Sequence, residues 1–211
     1  MYKMAGMFSY CYHFLISAMS DVEAMIKLES MLLDDNNGVN KNLILGIMYT
    51  IQKNEDLCLK HYRLAISEGN DDAAINLASY YHTKNVHDDE SLDKLRSLAD
   101  SGNLRAKSNL AYYCYKINKD GETAIKYYEE AVNGGYIRAA ANLGYILAVE
   151  YQQYELAIDY TLLLLQHDIT EFYDYTGHCY HLKGDIDNVV KYCMLDVEAN
   201  GNKEPIIYLC D

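Results

Sequence analysis

Residues 124–147 carry two apolar stripes separated by a glycine. Ala124, Tyr128 and Ala131 fall at i, i+4 and i+7, one face of a helix, with Lys126, Glu129 and Glu130 on the opposite side. Gly135 then stops the helix, because glycine reaches the left-handed conformation that closes a helix C-terminus, where a Cβ costs about 1 kcal/mol. Leu143 and Leu147 form the second stripe, and Gly144 between them is small enough to admit a neighbouring helix. The stretch predicts two short amphipathic helices joined by a tight turn.

The same pattern recurs along the chain. Gly69, Gly102, Gly135 and Gly201 hold a register of 33 residues, with Asp168 in the one position that lacks glycine. A helical stripe precedes each stop: Cys58, Tyr62, Ala65; Ser91, Leu95, Leu98; Ala124, Tyr128, Ala131; Ala157, Thr161, Leu164; Val190, Met194, Val197. After the stop, the first helix of the next unit carries a small residue, recurring as Gly46, Ala78, Ala111, Gly144 and Gly177. Asn54, Asp88, Asp120 and Asp185 stand where short polar side chains cap the second helices.

Before Asn40 the pattern weakens. Ala24, Leu28 and Met31, ahead of the polar run 34–38, read as the second helix of a degenerate unit whose first helix is 4–18. Pro205 opens a last apolar piece, 206–209. The expected organisation is one continuous domain, with a capping repeat at 1–39, five tandem repeats at 40–203 and a cap or further repeat at 204–211.

Composition narrows the function. The 211 residues include 18 basic and 31 acidic side chains, a net charge of −13, which repels phosphate backbones and argues against nucleic acid. One proline, no tryptophan and 50% hydrophobic residues favour continuous helices. The 22 tyrosines suit half-exposed faces, where a ring packs and a hydroxyl stays wet. Cys11, Cys58, Cys114, Cys179, Cys193 and Cys210 lack C-x-x-C spacing and read as free thiols of a reducing, cytoplasmic compartment, a Cys179–Cys193 bridge being the alternative. Tyr10, Tyr12 and His13 interrupt the apolar N-terminus, so a terminal helix is expected there rather than a signal peptide. No run reaches the roughly 20 apolar residues of a membrane span.

A 33-residue unit with Asn-Leu-small-x-x-Tyr on its first helix and Ala-x-x-x-Tyr-x-x-Ala on its second resembles the tetratricopeptide repeat. The segments KYYEEAVNGG and RAAANLGYI are similar to its Sel-one-like relatives, although the Gly-x-Gly between helices is missing. The resemblance covers 40–203. It implies an all-α, right-handed superhelical solenoid of about five to six helix hairpins, with first helices lining a concave groove, that serves as a scaffold or adaptor for protein partners without chemistry or cofactors of its own.

By that resemblance the groove positions are Asn40, Leu43, Ile47, Thr50 and Ile51; then Asp72, Ile75, Ser79, His82 and Thr83; then Arg105, Ser108, Tyr112, Tyr115 and Lys116. Two further rungs are Arg138, Ala141, Tyr145, Ala148 and Val149, and Glu171, Asp174, His178, His181 and Leu182. Arg105 and Arg138 are expected to meet acidic groups of an extended partner segment, with Tyr112, Tyr145, His178 and His181 as further contacts. Asn76, Asn109 and Asn142 repeat on successive first helices, placed either to grip a peptide backbone or to hold neighbouring helices together.

Enzyme signatures are missing: no phosphate loop, dinucleotide fingerprint, Gly-x-Ser-x-Gly or His-Glu-x-x-His occurs. A zinc site built from His178, His181 and a thiolate of the facing helix, Cys193, is one alternative, with Cys179 projecting away from the two histidines. Self-association through the ends is another, by Met4, Met7, Phe8 and Phe14 or by Ile206, Ile207 and Leu209, giving a weak end-to-end oligomer in place of a monomer.

Overall fold

The computed structural model describes residues 21–33, 40–84 and 88–200. The expected helix at 4–18, the polar run 34–38, Gly201, the segment 205–209, Cys11, Cys210 and the side chains of His82, Thr83 and Glu171 lie outside the described residues. Among those described, eleven α-helices and one 3₁₀ turn follow one another with no strand, the all-α helix-pair repeat fold that the pattern predicts. They are α1 (Asp21–Leu33), α2 (Lys41–Ile51), α3 (Glu55–Ser67), α4 (Asp71–Lys84), α5 (Asp89–Asp100) and α6 (Leu104–Lys116). There follow α7 (Gly121–Asn133), α8 (Ala139–Val149), α9 (Tyr154–Gln166), a 3₁₀ turn (Thr170–Phe172), α10 (Tyr173–Lys183) and α11 (Ile186–Asn200). None of these helices is long and apolar enough to cross a membrane.

Each unit closes on backbone hydrogen bonds. Gly69, Gly102, Gly135 and Asp168 all have positive φ, at 84°, 94°, 104° and 58°. In every case the next amide reaches back five residues: Asn70 N to Ala65 O, Asn103 N to Leu98 O, Tyr136 N to Ala131 O and Ile169 N to Leu164 O. The left-handed residue bonds three back, which completes a Schellman closure. Helix starts are equally regular. Asn54, Asp88, Asp120 and Asp185 accept from the amides of Leu57, Ser91, Thr123 and Asn188. Asn70 and Asn103 likewise cap the first helices α4 and α6, through the amides of Ala73 and Ala106.

The chain forms two compact units, Met1–Leu110 and Ala111–Asp211, with the boundary inside α6. In the first, α1 to α5 pack each on the next, and α2 also touches α4. Its core runs through Ala24, Leu28, Ile44, Cys58, Tyr62 and Leu77. Thr50 Oγ1 lies 3.3 Å from the hydroxyl of buried Tyr62 and 3.0 Å from Cys58 Sγ, so the hairpin core carries its polar atoms bonded. In the second unit α7 packs on α8, α8 on α9, α9 on α10 and α10 on α11, with the 3₁₀ turn against α9 and α11. Tyr128, Leu143, Leu164, Phe172 and Val189 are fully buried there, each side chain contributing about 1.5 to 3 kcal/mol of apolar burial. Cys58, Cys114, Cys179 and Cys193 are buried free thiols, so the Cys179–Cys193 bridge is not formed.

One stripe departs from the expected register. Val190 is half-buried and Met194 and Val197 are exposed, whereas Val189, Cys193 and Asp196 face the core. The cause is a turn one residue shorter. In the α8–α9 corner Gln153 N bonds Leu147 O, six residues back, but in the α10–α11 corner Asp185 N bonds Tyr180 O, five back. The second helix therefore begins one residue sooner. The α2–α3 corner, with Asn54 N on Tyr49 O, has the same short closure.

Candidate functional site

In the first unit the expected binding residues are tied to one another across neighbouring first helices. Arg105, on α6, places Nη1 2.6 Å from Asp72 Oδ1 and donates from Nη2 to Asn76 Oδ1 at 2.8 Å, both on α4. Asn109 accepts from Ser79 Oγ at 3.0 Å and donates to the Arg105 carbonyl at 3.2 Å. Asn76 and Asn109 are only 4% and 8% exposed. These two amides thus join α4 to α6. Ile75, Ser79 and Ser108, placed in the groove by sequence, are buried.

In the second unit Asn142 is also buried, beside Tyr128. Burial pushes the Tyr128 phenol well up in pKa, and Tyr112 adds to this. Arg138 stands half-buried at the start of α8. Tyr112 and Tyr145 are half-buried as well, and burial raises both phenols. Ala141 and Ala148 are buried and Val149 is exposed. The helix ends therefore hold the accessible polar and aromatic groups, while the middles of the helices pack.

A cleft of about 480 Å³ opens where the α6–α7 corner meets the end of α8, lined by Tyr115, Lys116, Lys119, Tyr145, Glu150 and Tyr151. Tyr115 donates its hydroxyl to Glu150 Oε1 at 2.6 Å, and burial followed by that bond lifts its phenol pKa. Lys116 Nζ stands 4.7 Å from the Tyr115 ring centroid and 5.7 Å from that of Tyr145, within cation–π range. Burial and the neighbouring Lys119 charge lower the pKa of Lys116, and the Glu150 carboxylate opposes them in part. Gly121 forms one wall, since a Cβ there would come within 2.7 Å of the Tyr151 hydroxyl. Only Tyr115, Lys116 and Tyr145 of this cluster were legible as groove positions. Lys119 has positive φ, 57°, and no glycine marked its corner in the sequence.

The histidines at the far end of this unit are half-buried. His178 and His181 stack on α10 with ring centroids 6.4 Å apart, and burial, then His181, lowers the pKa of His178. Cys193, the thiol expected to join them, is buried and its pKa is raised by burial, and the fully buried Cys179 thiol is pushed up to about 12, the opposite of what a thiolate ligand requires. No group of three or more His, Cys, Asp or Glu side chains among the described residues is placed to hold a metal, so the zinc alternative does not assemble. The helix places Cys179 on a different face from the two imidazoles. Asp174, by contrast, is held with its carboxyl pKa raised to about 6, by burial and then by the charge of Asp196 on α11.

No family profile matches the chain. No curated protein matches it either. Among solved structures it is similar to the crystal structure of a Sel1 repeat protein from Oxalobacter formigenes, at 19% identity and a TM-score of 0.59, over 94% of this chain and 86% of that one. At that identity the likeness is one of fold: a helix-pair repeat of the Sel1 kind.

Proposed function

We propose, from the premise of a fold shared with a Sel1 repeat protein, that this chain is a non-enzymatic scaffold that binds an extended, acidic segment of a partner protein on the faces of its first helices. In the first unit Arg105, with Asn76 and Asn109 behind it, receives a carboxylate; in the second, Arg138, Tyr112, Tyr145, His178 and His181 line the contact. The observation that carries this reading is the Arg105–Asp72 pair. Asp72 is a largely exposed carboxylate on a mostly buried guanidinium that Asn76 holds from behind, so a partner's carboxylate that reaches the same guanidinium can take the place of Asp72.

Peptide selection on the immobilised protein, followed by fluorescence anisotropy with the selected sequences, tests it. Enrichment in Asp and Glu is expected, together with loss of binding in the Arg105→Glu/Arg138→Glu double variant at unchanged helical circular dichroism. Peptides without acidic enrichment, or binding that survives both substitutions, end the reading. A second reading, association between copies, draws support from Ile186, Met194 and Val197, exposed by 56%, 58% and 40% on α11. Light scattering over a concentration series decides it, a constant monomer mass excluding it.

A further inference from the structure

The cleft at the α6–α7 corner contains more than a carboxylate needs. Its two ammonium groups, Lys116 and Lys119, share one opening in a protein whose net charge is −13. Tyr115, Tyr145 and Tyr151 add three aromatic rings, and the space is about 480 Å³, well above what an Asp or Glu side chain fills. Glu150 is turned to the Tyr115 hydroxyl at 2.6 Å. Lys116 is fixed over two ring faces. An ammonium positioned by rings beside a second ammonium calls for an anion, and rings beside the anion call for an aryl group. Phosphate on an aromatic side chain brings a charge of about −1.5 to −2 and three acceptor oxygens, which matches two lysines.

We infer that this cleft is the subsite for a phosphorylated tyrosine side chain on the extended partner segment, its phosphate between Lys116 and Lys119 and its ring against Tyr145 and Tyr151. The inference rests on the protein-binding role proposed above and assigns that role a specificity element. Burial and the Lys119 charge weigh against the Lys116 ammonium and the Glu150 carboxylate supports it, so the phosphate adds a second anion on the side where the two ammonium groups face each other. The absence of a side chain at Gly121 leaves room for the Tyr151 hydroxyl, which a Cβ there would meet at 2.7 Å.

Titration of the ¹⁵N-labelled full chain with phenyl phosphate, phenol and phenylacetate tests it without knowledge of the partner. Saturable amide shifts confined to the neighbourhood of residues 115–121 and 145–151 are expected with phenyl phosphate, with phenol and phenylacetate each weaker by about tenfold or more. Lys116→Gln and Lys119→Gln, both at accessible positions, should each weaken phenyl phosphate by about tenfold while the rest of the spectrum stays in place. Scattered or unsaturable shifts, equal binding of phenol, or indifference to both lysine substitutions overturns the inference. Equal binding of phenylacetate removes the phosphate from it. Selected acidic peptides that still bind while phenyl phosphate does not would end this subsite and leave the broader role standing.

Discussion

Asp168 occupies, at φ 58°, the corner that Gly135 fills at φ 104° one repeat earlier, and the amides that follow them, Ile169 and Tyr136, close on Leu164 and Ala131 in the same way. The geometry is the same and the side chain is not. A left-handed residue with a Cβ costs about 1 kcal/mol relative to glycine.

Replacing Asp168 by Gly should therefore raise the free energy of unfolding by about 0.5 to 1 kcal/mol, and Gly102→Ala should lower it by about 1 kcal/mol. Nothing lies within 4 Å of a Cβ built at Gly102, so the loss there would come from the backbone alone. Urea midpoints at unchanged m-value measure both.

At Gly46 the limit is space. A Cβ there would stand 2.6 Å from Cδ1 of Tyr62, a ring that is 1% exposed and has nowhere to move. Gly46→Ala should cost about 1 to 3 kcal/mol by overpacking, and Gly46→Ala combined with Tyr62→Leu should recover part of it. Thermal melts of the single and double variants read the coupling.

The bonds that join α4 to α6 predict that Asn109→Ala, which removes the link to Ser79 Oγ while leaving that hydroxyl its Ile75 carbonyl, lowers stability by about 1 kcal/mol. Arg105→Met removes two contacts on α4 at a half-exposed site and should cost about 1 kcal/mol. Because the two residues touch, the double variant is expected to lose less than the combined single effects. Denaturant unfolding of all three proteins checks this.

Asp174 sets a pH dependence of definite sign. Its carboxyl titrates at about 6 in the folded chain against 3.8 as its ordinary value, so the folded state binds the proton more tightly than the unfolded. Stability should fall as pH rises from about 4 to 6, the penalty staying at its full extent, about 2 to 3 kcal/mol, above that window. His178, whose pKa is lowered by burial and by His181, acts oppositely: its contribution is lost as pH falls below 6.5. Asp174→Asn should raise the melting temperature at pH 7 and leave on the acid side the histidine limb and, lower still, the loss of the Asp120 and Asp185 caps.

The fold was legible because its signals are chemical necessities of single positions. A left-handed corner selects glycine at Gly69, Gly102 and Gly135, and exposed helix starts select Asn54, Asp88, Asp120 and Asp185. Three further corners, at Lys53, Lys119 and Gln152, take the same positive φ without glycine and left no trace in the sequence. The shift that buries Asp196 and exposes Met194 was hidden for a related reason: a turn shortened by one residue changes a hydrogen bond, Asp185 N to Tyr180 O, and no residue type. The site was less legible than the fold. Asn76 and Asn109 recur at a fixed interval whether they serve a ligand or the neighbouring helix, and only the positions of Arg105 and Ser79 reveal the bonds they make.

Both closures of the hairpin corner, reaching five residues back at Tyr180 and six at Leu147, end in a seated second helix. A gene built from such units can absorb a lost codon at a bend and rotate the following segment by a new choice of inward-facing residues, leaving its neighbours undisturbed. Length drift in this chain is a matter for its corners, and each helix downstream has only to offer a different edge.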